Sequence, residues 1–421
     1  MKKLYSIITI VSLALPANAQ LTLQQCQEKA RQHYPAIAQY DLLEKTRELT
    51  LANASHSYLP QILFGAQATW QNAVASLPEA LSGMMSAQGM EIPGIRKDQY
   101  KLSLQIDQPI WDGGQSKAQH ELYDAQSTEQ IKQLDVDMYS LEERINELYF
   151  GILMLDSRIE SSENMIALLR GNWEQAKALV RGGVTTRSDA DAMEAELLGT
   201  EQSLTALSSS RDAYRKVLEL FIGEPAIGNL IMPEMPQRRE SLRAELQLLD
   251  AKINTLNAQE KLLKSSLMPR VSVFAQGWYG YPGLDMFQSM TSGQWTWNAI
   301  IGVKMNWNVS ALFTHKNNLK QIQTARSLSE VKKDLFTFNT SLQSISLDAD
   351  MERLHNTAAD DQRIIELRRN VRMAAESKYR NGTITATELL KAITDETTAG
   401  ISAQTHALEL LRTAYQSQHN N

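Results

Sequence analysis

The sequence contains a single cysteine, Cys26, among 421 residues. One thiol excludes a disulfide framework within the chain and any zinc or iron–sulfur site built from several cysteines. We expect Cys26 to be a small buried hydrophobic residue. Basic residues are not in excess either, because 42 Lys and Arg stand against 48 Asp and Glu. This balance argues against a nucleic-acid-binding protein.

Motifs of enzymes and nucleotide-binding proteins are also missing. The sequence has no HExxH, GxSxG or GxxxxGK[ST] motif, so it gives no support for an enzyme, a cofactor or a resident metal. Beyond the first twenty residues, no stretch approaches the roughly 18 consecutive apolar residues of a membrane-spanning helix.

Residues 1–19 have the organisation of a secretory signal peptide. Lys2 and Lys3 precede a short apolar run, and Ala17, Asn18 and Ala19 form a small-residue cleavage site. We therefore expect the mature chain to begin at Gln20 and to be exported into a two-membrane bacterial envelope.

The chain repeats itself, which is its most informative feature. Residues 57–62 (Ser-Tyr-Leu-Pro-Gln-Ile) correspond to residues 266–271 (Ser-Leu-Met-Pro-Arg-Val). We predict a first repeat at 20–222, a linker at 223–237 where three prolines prevent a continuous element, and a second repeat at 238–421. Each repeat is expected to contain a helix, a β-hairpin (about 60–111 and 269–309) and a long helical hairpin (about 112–222 and 311–418).

Apolar residues in the long helices are spaced alternately by three and four positions, which is typical of a coiled-coil seam. In the first half they are Ile131, Leu134, Met138, Leu141, Ile145, Leu148, Ile152, Leu155 and Ile159. In the second half they are Leu328, Val331, Leu335, Phe338, Leu342 and Ile345. A helix from about 115 to 180 would be roughly 100 Å long, far longer than a globular domain uses.

Four short segments alternate apolar and polar residues with a period of two. Their apolar positions include Ile62 to Trp70, Tyr100 to Ile106 and Ala299 to Trp307, while Phe274, Trp278 and Ile300 fall on the polar register. Strands of about ten residues with one apolar face are typical of a transmembrane β-barrel. A soluble antiparallel sheet with a tryptophan-rich core is the alternative.

Six of the seven tryptophans lie on these segments or at their ends, as aromatic girdles at membrane interfaces would require. They are Trp70, Trp111, Trp278, Trp295, Trp297 and Trp307. Four strands cannot close a membrane barrel, which needs about eight, and open edges are not tolerated in lipid. If the strands span a membrane, several chains must share one barrel. The loops at 71–98 and 282–294 then lie on one side and the helices on the other.

Three short motifs follow one another in a characteristic order. They are residues 21–26 continuing to Tyr34 and Pro35, residues 108–114 (Gln-Pro-Ile-Trp-Asp-Gly-Gly), and residues 378–385 (Lys-Tyr-Arg-Asn-Gly-Thr-Ile-Thr) with Glu388, Leu389 and Leu390 behind them. With the duplication, they make the chain resemble the TolC-like outer-membrane efflux proteins across nearly all of its mature length.

This resemblance implies a mixed α and β membrane protein. Duplicated coiled-coil helices would form an α-barrel in the periplasm, and four strands per chain would contribute to a twelve-stranded β-barrel shared by a homotrimer. The implied function is a passive exit duct in the outer membrane, working with a periplasmic adaptor and an inner-membrane pump or transporter. The duct would belong to a tripartite efflux pump or a type I secretion system. A soluble periplasmic coiled-coil adaptor or a structural envelope protein is the alternative.

The resemblance also implies two kinds of site at the helical turns. Adaptor docking would involve Arg181, Gly182, Gly183, Val184, Thr185, Arg380, Asn381, Gly382, Thr383 and Ile384, and a gate would involve Asp189, Glu388 and Lys391. Helix capping is the competing interpretation for the two acids, because Thr186 and Thr385 precede them by three positions. Lys391 departs from the family, which can carry a second acid there.

Methionines are frequent in the two strand-connecting loops: Met84, Met85, Met90, Met286 and Met290. Thioethers can bind soft copper or silver ions, but loop methionines are more often incidental hydrophobic residues.

Overall fold

The computed structural model describes residues 20–89, 92–225, 227–237 and 243–420. The predicted signal peptide and Met90 lie outside the described residues. The described chain divides into two units, each containing segments of both halves. The helical unit comprises the chain up to Asp41, Lys132–Leu248 and Lys332–Asn421, and the sheet unit comprises Leu42–Ile131 and Leu249–Val331.

From the helix before the first strand onwards, the two halves contain the same elements in the same order, and the first half has one additional helix, α1, at its beginning. The first contains α1 (Leu23–His33), α2 (Ala38–Ser55), β1 (Gln61–Trp70), α3 (Glu79–Ala87), β2 (Asp98–Trp111), α4 (Gln115–Arg181) and α5 (Arg187–Ile222). The second contains α6 (Ala244–Ser265), β3 (Arg270–Tyr281), α7 (Met286–Ser292), β4 (Thr296–Asn306), α8 (Ala311–Arg380) and α9 (Ala386–Asn420). None of the helices in the described part of the chain has the length and apolarity needed to cross a membrane.

The four strands form one antiparallel sheet in the order β1-β2-β3-β4. The two predicted hairpins are joined through β2 and β3, where Gln105 lies opposite Gln276. β2 carries an irregularity between Pro109 and Trp111, near its junction with α4. β1 and β4 lie at the edges, each with one neighbour among the described strands.

The predicted alternation separates the two faces of the sheet. Phe64 and Ile301 lie on the apolar face and are 75% and 78% exposed, as expected for side chains without a partner in one chain. Gln105, Asp107 and Lys304 lie on the other face, which we call the polar face. Register also places Phe274, Trp278 and Ile300 on the polar face, because residues two apart on a strand share a face.

The helical unit buries the predicted seam of α4. Ile145 and Ile152 are fully buried, and neighbouring Tyr149 donates a hydrogen bond of 2.9 Å to the carbonyl of Leu21. Leu21 also forms a parallel bridge with Leu230 in the segment predicted as a linker. The segment at Leu21 is therefore tied to the middle of the sequence, and Cys26 is fully buried as predicted.

The corresponding stripe of α8 is exposed. Its six apolar residues are each more than half exposed, from 52% at Leu342 to 67% at Ile345. A stripe of this kind leaves apolar area in water that a partner helix would remove.

The loops that connect the strands contain two short helices that the sequence analysis missed. α3 carries Met84 and Met85, and α7 carries Met286 and Met290. The Asp285 side chain accepts a hydrogen bond from the backbone N–H of Gln288 and caps α7. Helices of seven and nine residues give too short a periodic pattern to be recognised in a loop.

Candidate functional site

The turns between the paired helices have the same backbone structure. After α4, the Val184 N–H donates to the Leu179 carbonyl at 2.9 Å and the Gly183 N–H to Val180 at 3.1 Å. After α8, Thr383 and Gly382 donate in the same way to Lys378 and Tyr379, at 3.0 and 2.9 Å. Both are Schellman motifs, in which a residue of positive φ ends the helix. Gly183 and Gly382 supply it with φ of 71° and 68°.

The two turns lie against each other within the helical unit. A Cβ atom at Gly382 would lie 3.2 Å from Val184 Cγ1. Of the other residues predicted at this tip, Thr185 and Ile384 are partly buried and the rest, such as Arg181, Arg380 and Asn381, are exposed. The structure therefore brings the two predicted docking segments together into one surface, which we call the tip.

Asp189 connects the two turns through its carboxylate. Oδ2 accepts hydrogen bonds from the hydroxyls of Thr185 and Thr186, at 2.5 and 2.9 Å. Oδ1 accepts a bond of 3.2 Å from the N–H of Ala386, the first residue of α9. Asp189 thus completes the capping box of α5 and also holds the start of α9. The hydrogen bond from Thr185 is the main reason that the pKa of Asp189 is lowered.

Glu388 forms the equivalent capping interaction at the start of α9, but its described hydrogen bonds all stay within its own turn, with Thr385. Its carboxylate accepts from the Thr385 N–H at 3.0 Å, and its own N–H donates to the Thr385 hydroxyl at 3.3 Å. Its side chain is otherwise exposed, and so is Lys391 almost one turn further along α9. Glu388 and Lys391 therefore present opposite charges at the surface of the tip, whereas the Asp189 carboxylate is occupied by hydrogen bonds.

Beneath the tip, segments of α4, α5, α8 and α9 share one hydrophobic core. It contains Ile166, Leu169, Met193, Leu197, Tyr379, Leu389 and Ile393. Tyr379 is 2% exposed, and burial raises the pKa of its hydroxyl. The turns are thus positioned by a packed four-helix end rather than by isolated hairpins.

An ion-pair network that the sequence analysis missed links α8 to α9 next to this core. The Arg372 guanidinium lies between the carboxylates of Glu376, at 2.6 Å, and Glu396. Arg368 pairs with Asp395 at 2.8 Å. The spacing of Arg372 and Glu376 by four on a helix is a signal that could have found one of these pairs. The partners on α9 could not be assigned without the packing of the two helices.

Tryptophans on the apolar face cluster at both ends of the strands. Trp70 and Trp297 lie towards the loops, where Trp295 also stacks on Tyr100 with ring centroids 5.8 Å apart. Trp111 and Trp307 lie at the helix-proximal ends. Trp278 does not belong with them. Its register places it on the polar face, where it is 8% exposed and the Lys101 ammonium lies over its ring.

The polar face ends in a pocket of about 600 Å³ within the sheet unit, at the helix-proximal end of the strands. Its lining includes Thr50, Asn53, Gln119, Tyr123, Arg270 and Asn306. Elsewhere, no group of three or more His, Cys, Asp or Glu side chains in the described ranges could hold a metal ion.

No protein-family model and no curated protein sequence matches this chain. Solved structures do match it. The outer-membrane channel OprN is 16% identical with a TM-score of 0.72, covering 95% of this chain and 90% of that chain. The outer membrane protein VceC from Vibrio cholerae is 13% identical with a TM-score of 0.71, covering 94% and 96%. CusC, whose structures show conformational changes that accompany folding and transmembrane channel formation, is 11% identical with a TM-score of 0.72. The match covers 94% of this chain and 91% of that chain.

The chain has the fold of these outer-membrane channels. The predicted resemblance is thereby confirmed for the fold, with long duplicated helices and a four-strand antiparallel sheet. The channel fold extends over almost the whole length of each of the three proteins.

Proposed function

We propose that the chain is one protomer of a trimeric channel in the bacterial outer membrane. The observation that carries this proposal is the sheet, which has an exposed apolar face, a polar face and two free edges. An apolar face is stable against lipid, while free edges are not, since no water in the bilayer satisfies their backbone groups. Several copies must therefore close the sheet into a ring.

Three copies satisfy this requirement. β1 and β4 run in opposite directions, so β4 of one copy can pair antiparallel with β1 of the next. Three sheets of four strands then give twelve strands, above the minimum of about eight. The apolar face with Trp70, Trp297, Trp111 and Trp307 near its two ends turns to the lipid, and the polar face lines a water-filled lumen.

The exposed stripe of α8 supports the same assembly. α8 follows directly after β4, and α2 leads directly into β1. Pairing of β4 with the next copy's β1 would bring the beginning of α8 beside the end of the next copy's α2. Phe313 near the beginning of α8 and Leu49 near the end of α2 are both more than half exposed. Their contact would remove apolar surface from water on both helices.

We infer that the conduit is passive and that its partners supply the energy. In this proposal the helical part lies in the periplasm, and the tip receives a periplasmic adaptor linked to an inner-membrane pump or transporter. The exposed residues of the two Schellman turns offer that docking surface. Such a duct would serve a tripartite efflux pump or a type I secretion system.

We also propose that Glu388 and Lys391 contribute charge to the constriction at the tip. Asp189 has a different proposed role, since its carboxylate is engaged by Thr185, Thr186 and Ala386. It would hold the two turns together, so that opening the tip requires these bonds to break. Ion selectivity measured for Glu388→Lys tests the first role, because a residue in the constriction changes selectivity when its charge is reversed.

The experiment that tests the channel is extraction with detergent followed by mass determination and planar-bilayer recording. We expect a detergent-dependent particle with a protein mass three times that of one chain, and stable ion conductance. A monomer that is soluble without detergent and does not conduct would contradict the proposal. It would favour a periplasmic adaptor or a structural envelope protein instead.

A further inference from the structure

The polar face of the sheet carries more positive than negative charge. Register places Lys101 of β2, Arg270 of β3 and Lys304 of β4 on this face, against one carboxylate, Asp107. The whole chain has the opposite balance, with a formal net charge of −6. The excess of cations is therefore a local property of this face.

The three cations differ in what they contact. Lys304 forms an ion pair with Asp107, and the Lys101 ammonium lies 4.4 Å from the centre of the Trp278 ring. Arg270 has an exposed side chain and no ion-pair partner among the described residues. It is therefore the cation of this face that is free to bind a dissolved anion.

Arg270 lies in the pocket at the helix-proximal end of the polar face. Around it are amide and hydroxyl groups that can donate hydrogen bonds, from Asn53, Gln119, Tyr123 and Asn306. The pocket also contains the carboxylate of Asp112. That group accepts hydrogen bonds from the Tyr58 hydroxyl at 2.6 Å, the Gly114 N–H at 2.9 Å and the Ser116 N–H at 2.7 Å. Its charge is thus bound to the start of α4 rather than to Arg270.

We propose that this pocket is a subsite for a carboxylate or phosphate group of the solutes that pass through the channel. The proposal rests on the proposed function, because it requires the polar face to line the lumen. A guanidinium presents parallel N–H donors that match the two oxygens of such groups. Surrounding amides and hydroxyls complete the coordination, and threefold assembly places three such subsites around one ring.

The test is block of single-channel current by inorganic pyrophosphate, with citrate as a second arm to distinguish phosphate from carboxylate. Both are added to the intact protein in planar bilayers at about 0.1 M KCl, where screening beyond about 10 Å leaves short-range charge effects measurable. The variants are Arg270→Gln, Arg270→Lys and Lys101→Gln. Arg158→Gln, on an exposed arginine of α4 in the helical unit, is the matched control.

We expect Arg270→Gln to raise the half-blocking pyrophosphate concentration by about tenfold, the usual effect of losing a charged hydrogen bond. It should also shift the reversal potential in a KCl gradient towards cation preference. Arg270→Lys should leave the reversal potential at its wild-type value and weaken the pyrophosphate block in part. A lysine keeps the positive charge but lacks the parallel N–H donors of the guanidinium. Lys101→Gln should shift the reversal potential alone, and Arg158→Gln should change neither.

Equal block of the wild type and Arg270→Gln would overturn the subsite, and so would block that depends on Lys101 instead. Retained conductance in these variants shows in the same recordings that they fold and assemble. A wild-type protein that forms no channels would overturn the proposed function itself, which makes the two failures distinguishable.

Discussion

α4 and α8 are corresponding helices of the two repeats, with 67 and 70 residues, and both carry an apolar stripe of coiled-coil spacing. In α4 the stripe is covered, and Ile145 is fully buried. In α8 the stripe is uncovered, and Ile345 is 67% exposed. A heptad pattern therefore specifies an apolar surface on a helix, but it does not specify which part of the same chain or of another chain covers that surface.

Three elements cover part of α4. Leu21 and the segment near Ile231 pack beside Tyr149, while Tyr415 of α9 approaches Phe150 with ring centroids 5.6 Å apart. The α4 stripe is thus part of the internal packing of the helical unit. The α8 stripe is left for the neighbouring copy in the proposed trimer.

Charged substitutions in the exposed stripe of α8 should have the largest effect, which is on trimer formation. The double variant Phe338→Asp, Leu342→Asp places two carboxylates where the proposed trimer buries apolar side chains, and we expect it to abolish the trimer. The protein mass of the detergent-solubilised particle shows whether the trimer has formed. Asn339→Asp adds a charge at an exposed polar position of the same helix and should leave the trimer intact. A trimer that tolerates the double variant would show that the stripe faces something else.

A matched pair of truncations compares the two stripes directly. In the monomeric double variant, Ile145→Ala should destabilise the helical unit by about 3 kcal/mol, because it leaves a cavity in a packed core. Ile345→Ala in the same background should change stability by less than about 0.5 kcal/mol, as exposed substitutions usually do. Denaturant unfolding followed by circular dichroism gives both values. Similar losses at the two positions would mean that α8 is covered within one chain.

Substitutions of the two tip acids, Asp189 and Glu388, should have smaller and unequal effects on stability. Asp189→Ala removes the N3 side chain of the α5 capping box, with its bonds from Thr185 and Thr186, and also the bond from Ala386, so we expect a loss of about 2 kcal/mol. Glu388→Ala removes only part of a local capping box and should cost about 0.5–1 kcal/mol. Hydrogen exchange at the Ala386 amide separates the roles, since it should accelerate in Asp189→Ala alone. Acceleration in both variants would argue against the link between the turns.

The glycines of the two Schellman turns should differ by a smaller amount. Gly183→Ala meets the cost of a left-handed residue, about 1–2 kcal/mol, but a Cβ there has no neighbour within 4 Å. Gly382→Ala has the same backbone cost and also presses on Val184, 3.2 Å away. We therefore expect the lower thermal midpoint for Gly382→Ala. The reverse order would show that the turns do not touch in solution.

The smallest expected effect is a pH dependence of stability that arises from Asp189, in the first half of the chain. The hydrogen bonds to Asp189 lower its pKa in the folded state below the usual value of about 3.9. Its stabilising contribution is therefore complete above the unfolded-state pKa and is lost as the pH falls through the lower folded-state pKa. The stability difference between the wild type and Asp189→Asn should shrink below about pH 4. A constant difference from pH 7 to pH 3 would contradict this.

Much of the fold could be predicted from periodicity. Alternation found the strands, including the irregular placement of Phe274, Trp278 and Ile300, and the 3-4 spacing found the long helices. Thr186 with Asp189 and Thr385 with Glu388 gave the helix starts, because capping chemistry is local in sequence. α3 and α7 were missed because each is shorter than a reliable helical pattern. Trp278 follows its polar register and therefore lies on the opposite face from Trp70, Trp111, Trp297 and Trp307.

The order of the elements, their period, their caps and the turns at Gly183 and Gly382 could all be predicted from the amino-acid sequence. Each of these depends on residues within a few positions of one another. The pairing of β2 with β3, the hydrogen bond from Ala386 to Asp189 and the lack of an ion-pair partner for Arg270 among the described residues became visible only in the tertiary structure. It also decided which of two similar stripes is buried. These features join residues far apart in the chain, so they depend on how packed elements compete for the same apolar surface.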